Sequence, residues 1–263
     1  MIFDGWVAAV TLLAAATAAA QPAASDLPAA NPSRPTVTDP ATLTPVGYLQ
    51  FENGILFAAE SPGVDKQFSF SQATKLAVNR RVEFFVLSQP WASTSFGDGY
   101  RSDDGDVSVG VQGVLLPGEK LEPTVALSYA KRVHTGSAAD LDIGGPNQSA
   151  IVLVSGEIKK CDYYSNAIVN EQVSGSVRRA QYGQTLYVSR SFSKWTFGVE
   201  LWHFTQPFLR GNAVGNLYAV GYAVRPNLVF DAGFDHGLTS SSTQWEGFAG
   251  FTYLLPHRLW RKR

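Results

Sequence analysis

The feature that most constrains this chain is an alternation of apolar and polar residues that continues over unusually long segments. In "QWEGFAGFTYLL" (residues 244–255), Trp245 and Phe251 stand at odd positions, whereas Glu246 and Thr252 stand at even positions. Successive side chains of a β-strand point to opposite faces of the sheet. The stretch therefore predicts a strand that lies between an apolar and a polar environment.

Twelve segments with this alternation follow residue 45, and no long helical pattern interrupts them. Most of them are 10 to 13 residues long. A tilted membrane strand needs about 9 to 11 residues, whereas strands of soluble proteins average about 5 to 6. The predicted strands are 46–57, 66–78, 81–89, 105–116, 121–132, 148–159, 162–171, 179–190, 194–204, 213–224, 226–236 and 243–255.

The connections between these strands also alternate in length. Tight turns such as 79–81 and 225–227 follow the even-numbered strands, and long polar loops such as 89–104 and 133–148 follow the odd-numbered strands. An even strand number, with short turns on one rim and long loops on the other, is typical of outer-membrane barrels. The predicted fold is all-β: one transmembrane antiparallel β-barrel of about twelve strands over residues 46–255. With twelve strands, both termini lie on the side of the short turns, which is expected to be the periplasmic side.

Composition helps to assign the two faces of the strands. Charged residues make up only 16% of the chain, compared with about 25% in soluble domains. We therefore predict that the apolar faces contact lipid and the polar faces line the lumen, although a soluble protein with inward apolar faces is the alternative. The predicted lumen-lining residues are Glu52, Glu83, Asp106, Glu157, Glu200, Asp231, Asp235 and Glu246, with Lys159 and Lys194.

This face carries more acidic than basic residues, which predicts cation preference if the lumen is open. Small residues such as Gly110 and Gly113 are expected to thin the wall. Aromatic residues near the predicted strand ends suit the headgroup level of a membrane. These residues are Trp91, Trp195, Trp202, Trp245, Tyr48, Tyr187 and Tyr253.

The regions outside the predicted barrel have their own composition. Residues 1–20 contain an apolar run followed by small residues, which predicts a cleaved secretion signal. Residues 21–45 are rich in Pro and Ala and are predicted to form a flexible leader. Residues 256–263 form a short basic tail, and the net charge of −1 gives no indication of nucleic-acid binding.

The sequence contains no convincing catalytic or metal site. His203 and Thr205 share one face of a predicted strand, but no orienting acid lies in register with them. Asp235 and His236 are adjacent, so their side chains should point to opposite faces. The acidic loop 97–106 lacks the spacing of a calcium loop. The histidines show no zinc-ligand spacing either: they are His134, His203, His236 and His257. We therefore expect no enzyme activity, no metal and no cofactor.

Four stretches resemble a known family: "TPVGYLQFENGILFA", "DGDVSVGVQGVLL", "EPTVALSYA" and "WEGFAGFTYLLP". They are similar to outer-membrane transporters of the meta-pathway phenol-degradation type, and the resemblance covers nearly everything after residue 45. It implies a bacterial outer-membrane protein that passes hydrophobic or aromatic small molecules. The matching motifs are strand patterns, so the resemblance transfers no binding residues.

Two function classes follow from these observations. The first is a passive channel or transporter-like barrel, whose partners are outer-membrane lipids and small-molecule solutes. The second is a filled barrel with a structural or lipid-modifying role. The sequence makes no prediction about the oligomeric state.

Overall fold

The computed structural model describes residues 27–97, 99–118, 122–138, 141 and 145–260. The signal peptide predicted for residues 1–20 lies outside this part of the chain. The strands are β1 (Leu49–Ser61), β2 (Val64–Ala77), β3 (Val82–Phe96), β4 (Gly99–Asp103), β5 (Val107–Leu116), β6 (Thr124–His134), β7 (Gln148–Ile158), β8 (Cys161–Ser174), β9 (Val177–Phe192), β10 (Trp195–Thr205), β11 (Asn212–Arg225), β12 (Leu228–Gly237) and β13 (Trp245–Leu254).

Twelve of these strands form one closed antiparallel barrel. Each strand pairs with its neighbours in chain order, and β1 closes the ring by pairing with β13 as well as with β2. The remaining strand, β4, pairs only with the second half of β3 and forms a hairpin beyond the ring. The predicted barrel is confirmed. No helix that is long and apolar enough to cross a membrane occurs in the described ranges.

The two rims of the barrel differ. We call the rim at which β1 begins and β13 ends the turn rim, and the opposite rim the loop rim. The turn rim has short connections, as predicted, and Lys159, Lys160 and Ser193 adopt positive φ in them. At the loop rim two connections are also tight, because Gly63 and Gly175 adopt positive φ between strands that the sequence analysis ended too early.

The segment predicted as loop 89–104 is mostly strand, which corrects that part of the prediction. β3 continues through this segment to Phe96, and β4 returns along it. An irregularity between Phe70 and Gln72 marks where the pairing of β2 with β3 shifts. Gln89 and Pro90 lie opposite this shift. The proline interrupts the alternation on which the sequence-based boundary rested.

The two faces of the ring differ in composition, with apolar side chains outside and acidic side chains inside. Phe197 and Phe230 point outward and are 51% and 48% exposed, whereas Glu200 and Asp231 point inward and are 1% and 6% exposed. The predicted aromatic belt is partly wrong. Trp202 and Tyr187 are buried on the inner face rather than exposed at the headgroup level.

Aromatic rings fill the space in the lumen that glycines of the wall were expected to leave open. A Cβ atom on Gly110 would lie 2.2 Å from the ring of Phe85, and one on Gly198 would lie 2.1 Å from the hydroxyl of Tyr187. These glycines let inward rings lie flat on the neighbouring strand. Gly113 lies between two inward residues of β5 and is therefore on the outer face, so it does not thin the wall on the lumen side. The inner surface of the wall is therefore partly aromatic.

Candidate functional site

The candidate site is the lumen, where residues 27–46 cross the inside of the barrel. We call these residues the inner segment. The amide of Ala30 donates a hydrogen bond to the carbonyl of Pro226 at the turn rim (2.8 Å). From there the segment first contacts the inner faces of β12 and β1. It then contacts β10, β8, β7 and β3 in turn, and the chain continues into β1. The flexible leader predicted for residues 21–45 is therefore wrong for residues 27–45, and residues 21–26 lie outside the described part.

Glu200, at mid-height on β10, makes the most concentrated contact with the inner segment. Its carboxylate accepts hydrogen bonds from the backbone amides of Val37 (3.0 Å) and Thr38 (2.8 Å) and from the hydroxyl of Thr38 (2.5 Å). The Thr38 hydroxyl also lies 2.7 Å from that of Thr185 on β9. Hydrogen bonds to a charged acceptor are stronger than neutral ones, so Glu200 is a strong anchor for the segment.

Two further glutamates hold the segment in the same way. Glu83 accepts hydrogen bonds from the amide (2.7 Å) and hydroxyl (2.5 Å) of Thr44. Glu52 accepts one from the amide of Ser33 (3.2 Å) and forms an ion pair with Lys75 (2.8 Å). In all three cases an acidic side chain of the wall binds a backbone amide of the segment. Backbone groups of an irregular buried segment need such partners.

Arg34 anchors the segment on the side of the lumen that strands β12, β13, β1 and β2 form. Its guanidinium donates a hydrogen bond to Ser71 (2.7 Å), and its Nε lies 3.7 Å from the carboxylate of Asp231. The side chain passes directly over two glycines of the wall. A Cβ atom on Gly54 would lie 1.9 Å from the guanidinium, and one on Gly250 would lie 2.9 Å from it. Glycine is therefore required at these positions for Arg34 to reach its partners.

Asp39 is the acidic residue of the segment itself. Asn166, with its amide oriented to match its neighbours, donates to the carbonyl of Asp39 (3.0 Å) and accepts from its amide (2.8 Å). Acidic groups outnumber basic ones around the segment: among the described residues, Arg34 and Lys75 are the basic ones that face the carboxyl groups of Asp39, Glu52, Glu83, Glu200 and Asp231.

Apolar contacts also hold the inner segment against the wall. Val37 packs against a buried cluster that includes Trp202 and Phe204. Ala41 is fully buried with Leu153 in a second cluster, against which Leu43 packs. Both clusters lie on the inner face of the wall. The lumen is thus lined by apolar as well as acidic side chains.

A cavity of about 30 Å³ lies between the segment and strands β2, β3, β5 and β6. Lys75 and Glu83 line its polar side, and Phe85 and Leu87 line its apolar side. Leu87 points inward and is nevertheless 41% exposed, so water reaches this part of the lumen. A cavity of this size has room for water. The inner segment occupies the space beside it.

The predicted lumen-lining residues do not form one site. Glu52, Glu200 and Asp231 contact the inner segment, as described above. Asp106 instead forms an ion pair with Arg132 near the loop rim (2.7 Å). Glu246 is half-buried on the inner face of β13. Three other predicted residues are exposed at turns of the turn rim: Glu157, Lys159 and Lys194.

The residues considered for catalysis are separated by the wall or engaged elsewhere. His203 points outward beside Gln184, with 2.9 Å between its Nδ1 and the amide oxygen, and Thr205 accepts a hydrogen bond from the amide of Tyr182 (2.8 Å). His236 stacks on Trp245 outside the barrel, with ring centroids 4.2 Å apart. Asp235 lies inside, where Trp202 donates a hydrogen bond to it (2.5 Å).

The acidic loop near the loop rim is held by ordinary polar contacts. His134 and Asp104 lie 2.7 Å apart, and this hydrogen bond lowers the pKa of the Asp104 carboxyl. No group of three or more His, Cys, Asp or Glu side chains within the described ranges is arranged to hold a metal ion.

The inner segment was not predicted because its composition resembles that of a disordered linker. One signal was available. Inward acidic residues such as Glu83 and Glu200 recur along the strands with few inward basic residues to neutralise them. Buried charges require partners, and the leader is a nearby part of the chain that can supply amide and hydroxyl donors.

Comparison with solved structures agrees with the geometry. An outer-membrane channel from Pseudomonas putida F1 superimposes with a TM-score of 0.58 at 13% identity, covering 82% of this chain and 98% of that one. The NanC porin gives a TM-score of 0.54 at 13% identity, covering 79% and 100%. The KdgM porin also gives 0.54, at 10% identity, covering 78% and 98%. At these identities the similarity establishes the fold. No protein-family model and no curated protein sequence matches this chain.

Proposed function

We propose that this protein is a bacterial outer-membrane channel for passive passage of small molecules, and that its inner segment closes the lumen in the present conformation. The single observation that carries the proposal is the closed ring with an apolar outside and a lumen occupied by the chain's own residues 27–46. The channel fold of the solved neighbours supports the proposal. No catalytic step, metal or cofactor is part of it.

The proposed solutes are small molecules that include hydrophobic or aromatic ones. The resemblance to phenol-degradation transporters motivates this choice, and the mixed lining of the lumen is compatible with it. Phe85 and Leu87 offer an apolar surface next to the polar groups of Lys75 and Glu83. For small cations, the acidic excess on the wall favours passage once the inner segment is displaced.

Opening of the lumen requires the inner segment to leave its anchors. The segment has no regular secondary structure between residues 27 and 46, so its contacts with the wall hold it in place. Breaking these contacts exposes Glu52, Glu83 and Glu200 to water in the lumen, where they can be solvated. This makes displacement feasible without unfolding of the barrel.

Planar-bilayer recordings test the proposal. The protein with its inner segment should show small or rare current steps, and a variant lacking residues 31–44 should show larger and more frequent ones. Swelling of loaded proteoliposomes in solutions of phenol-sized and sugar-sized solutes then ranks the solutes. If neither protein conducts ions or admits any solute, the channel proposal is wrong.

The alternative is a filled structural barrel, and the occupied lumen is the observation that favours it. The two functions predict different results for the variant without residues 31–44. A channel gains conductance when the segment is removed. A structural barrel loses stability without gaining conductance.

A further inference from the structure

The outward face of the barrel carries a row of polar side chains at one level of strands β1, β2 and β3. Asn53 of β1 lies opposite Gln72 of β2, and Gln72 lies opposite Ser88 of β3. Along β1 the outward neighbours of Asn53 are Phe51 and Ile55. The polar row is therefore set within the apolar surface that faces lipid.

Amide groups that face lipid destabilise the protein unless they are hydrogen-bonded. Gln72 donates a hydrogen bond from Nε2 to Oδ1 of Asn53 (2.8 Å). This bond leaves Nδ2 of Asn53 as a donor and Oε1 of Gln72 as an acceptor, and neither atom has a hydrogen bond to any other described residue. Hydrocarbon chains offer no hydrogen bonds, and an unsatisfied polar group in lipid carries a large free-energy cost.

The amide pair lines a recess, and an aromatic cluster that shares Phe70 with the recess lies beside it. The recess is an outward groove of about 520 Å³, whose apolar lining includes Ile55, Phe230 and Phe251. The adjacent cluster consists of Phe68, Phe70 and Trp91, whose ring centroids lie 5.7 to 6.0 Å apart. In a two-fold pair, the aromatic cluster of each copy can therefore contact the groove of the other.

We propose that this surface, made of Asn53, Gln72 and the neighbouring groove, binds a second copy of this chain within the membrane. In a two-fold arrangement the same surface of the two copies comes into contact, so that a residue on one side of the surface faces the other side in the second copy. Nδ2 of Asn53 in each copy then donates to Oε1 of Gln72 in the other, so that the unused donor and the unused acceptor of each copy are both satisfied. The aromatic cluster of each copy packs into the groove of the other.

A second copy fits this surface better than lipid does. Acyl chains can fill the groove but leave the two amide groups without partners. Polar side chains on the lipid side of a membrane protein commonly mediate association between segments. The proposal depends on the membrane-spanning barrel but not on channel activity, because association and conductance are measured independently.

The test is the oligomeric state of the full protein in lipid nanodiscs or mild detergent, measured by native mass spectrometry or light scattering. The double variant Asn53→Leu with Gln72→Leu should dimerise on the order of tenfold or more weakly than the unchanged protein. The matched control is Thr74→Leu, which changes an outward residue of β2 two positions away and should leave dimerisation unchanged. The exchange Asn53→Gln with Gln72→Asn should retain most of it.

Folding is checked separately, by comparing gel mobility with and without boiling. A folded double variant that dimerises as strongly as the unchanged protein would overturn the proposal. So would an unchanged protein that stays monomeric at micromolar concentration. Recovery of a bound lipid or solute on a monomer would assign the surface to that ligand instead.

Discussion

The hydrogen bonds at Glu200 provide the sharpest test of how the lumen is closed. The substitution Glu200→Gln preserves the length of the side chain but removes its charge and turns one acceptor oxygen into a donor. Three donors of the inner segment converge on this carboxylate: the amides of Val37 and Thr38 and the hydroxyl of Thr38. A glutamine can accept from some of them but must face at least one donor with its own NH₂ group.

The expected size of the effect follows from these bonds. A hydrogen bond to a charged group contributes about 1.5 to 3 kcal/mol, and a buried donor left unpaired adds a further cost. Loss of one or two such bonds should weaken the binding of the inner segment to the barrel wall by about 2 to 4 kcal/mol. Each 1.4 kcal/mol is a factor of ten, so the ratio of displaced to seated segment should rise roughly 30- to 1,000-fold. The open probability in single-channel recordings should rise by the same factor while it remains small.

The control is Glu157→Gln, which removes the same charge from an exposed residue near the end of β7 without touching the described inner segment. It should leave the open probability unchanged. Thr38→Val removes only the hydroxyl bonds and should have a smaller effect than Glu200→Gln. In the double variant the two effects should not add, because both substitutions disrupt the same contact. If Glu200→Gln and Glu157→Gln gave equal open probabilities in folded protein, the reasoning about the anchor would be refuted.

Three further predictions concern the barrel itself. Phe230→Arg should lower the free energy of unfolding by about 2 to 4 kcal/mol, because it places a charge in lipid. Asp231→Asn should lower it less and loosen Arg34. Equal, small losses measured by denaturant titration would mean that the faces are wrongly assigned. A cysteine at Ser102 should react with an impermeant label on intact cells and a cysteine at Ser193 should not, and the opposite result would reverse the orientation. The unboiled protein should migrate differently from the boiled protein on a gel, and full solubility without detergent would contradict a membrane barrel.

Much of the fold was predictable because it depends on local periodicity. In β12, for example, Phe230 and Asp231 follow each other, and a strand must point them to opposite faces. The length of each alternating segment then distinguishes a membrane strand from a soluble one. All twelve predicted ring strands were found, and the errors occurred where turns are only two residues long, as at Gly63 and Gly175.

The candidate site was less predictable because its contacts connect distant parts of the chain. The bond from Val37 to Glu200 spans 163 residues. The sequence identifies Glu200 as inward but does not indicate what it binds. Its partners are mainly backbone amides, which every non-proline residue has, so residue types give little sign of the pairing.

The sequence by itself determined the number of ring strands and the alternation of side chains along them, and hence a closed barrel, since these depend on the two-residue period of a strand and on strand length. Only the tertiary structure decided that residues 27–46 occupy the lumen, that Phe85 covers Gly110, and that Asn53 meets Gln72 on the outer face. The physical reason is that strand register and ring closure set which residues of different strands become neighbours. Neither quantity is encoded in the alternation of a single segment.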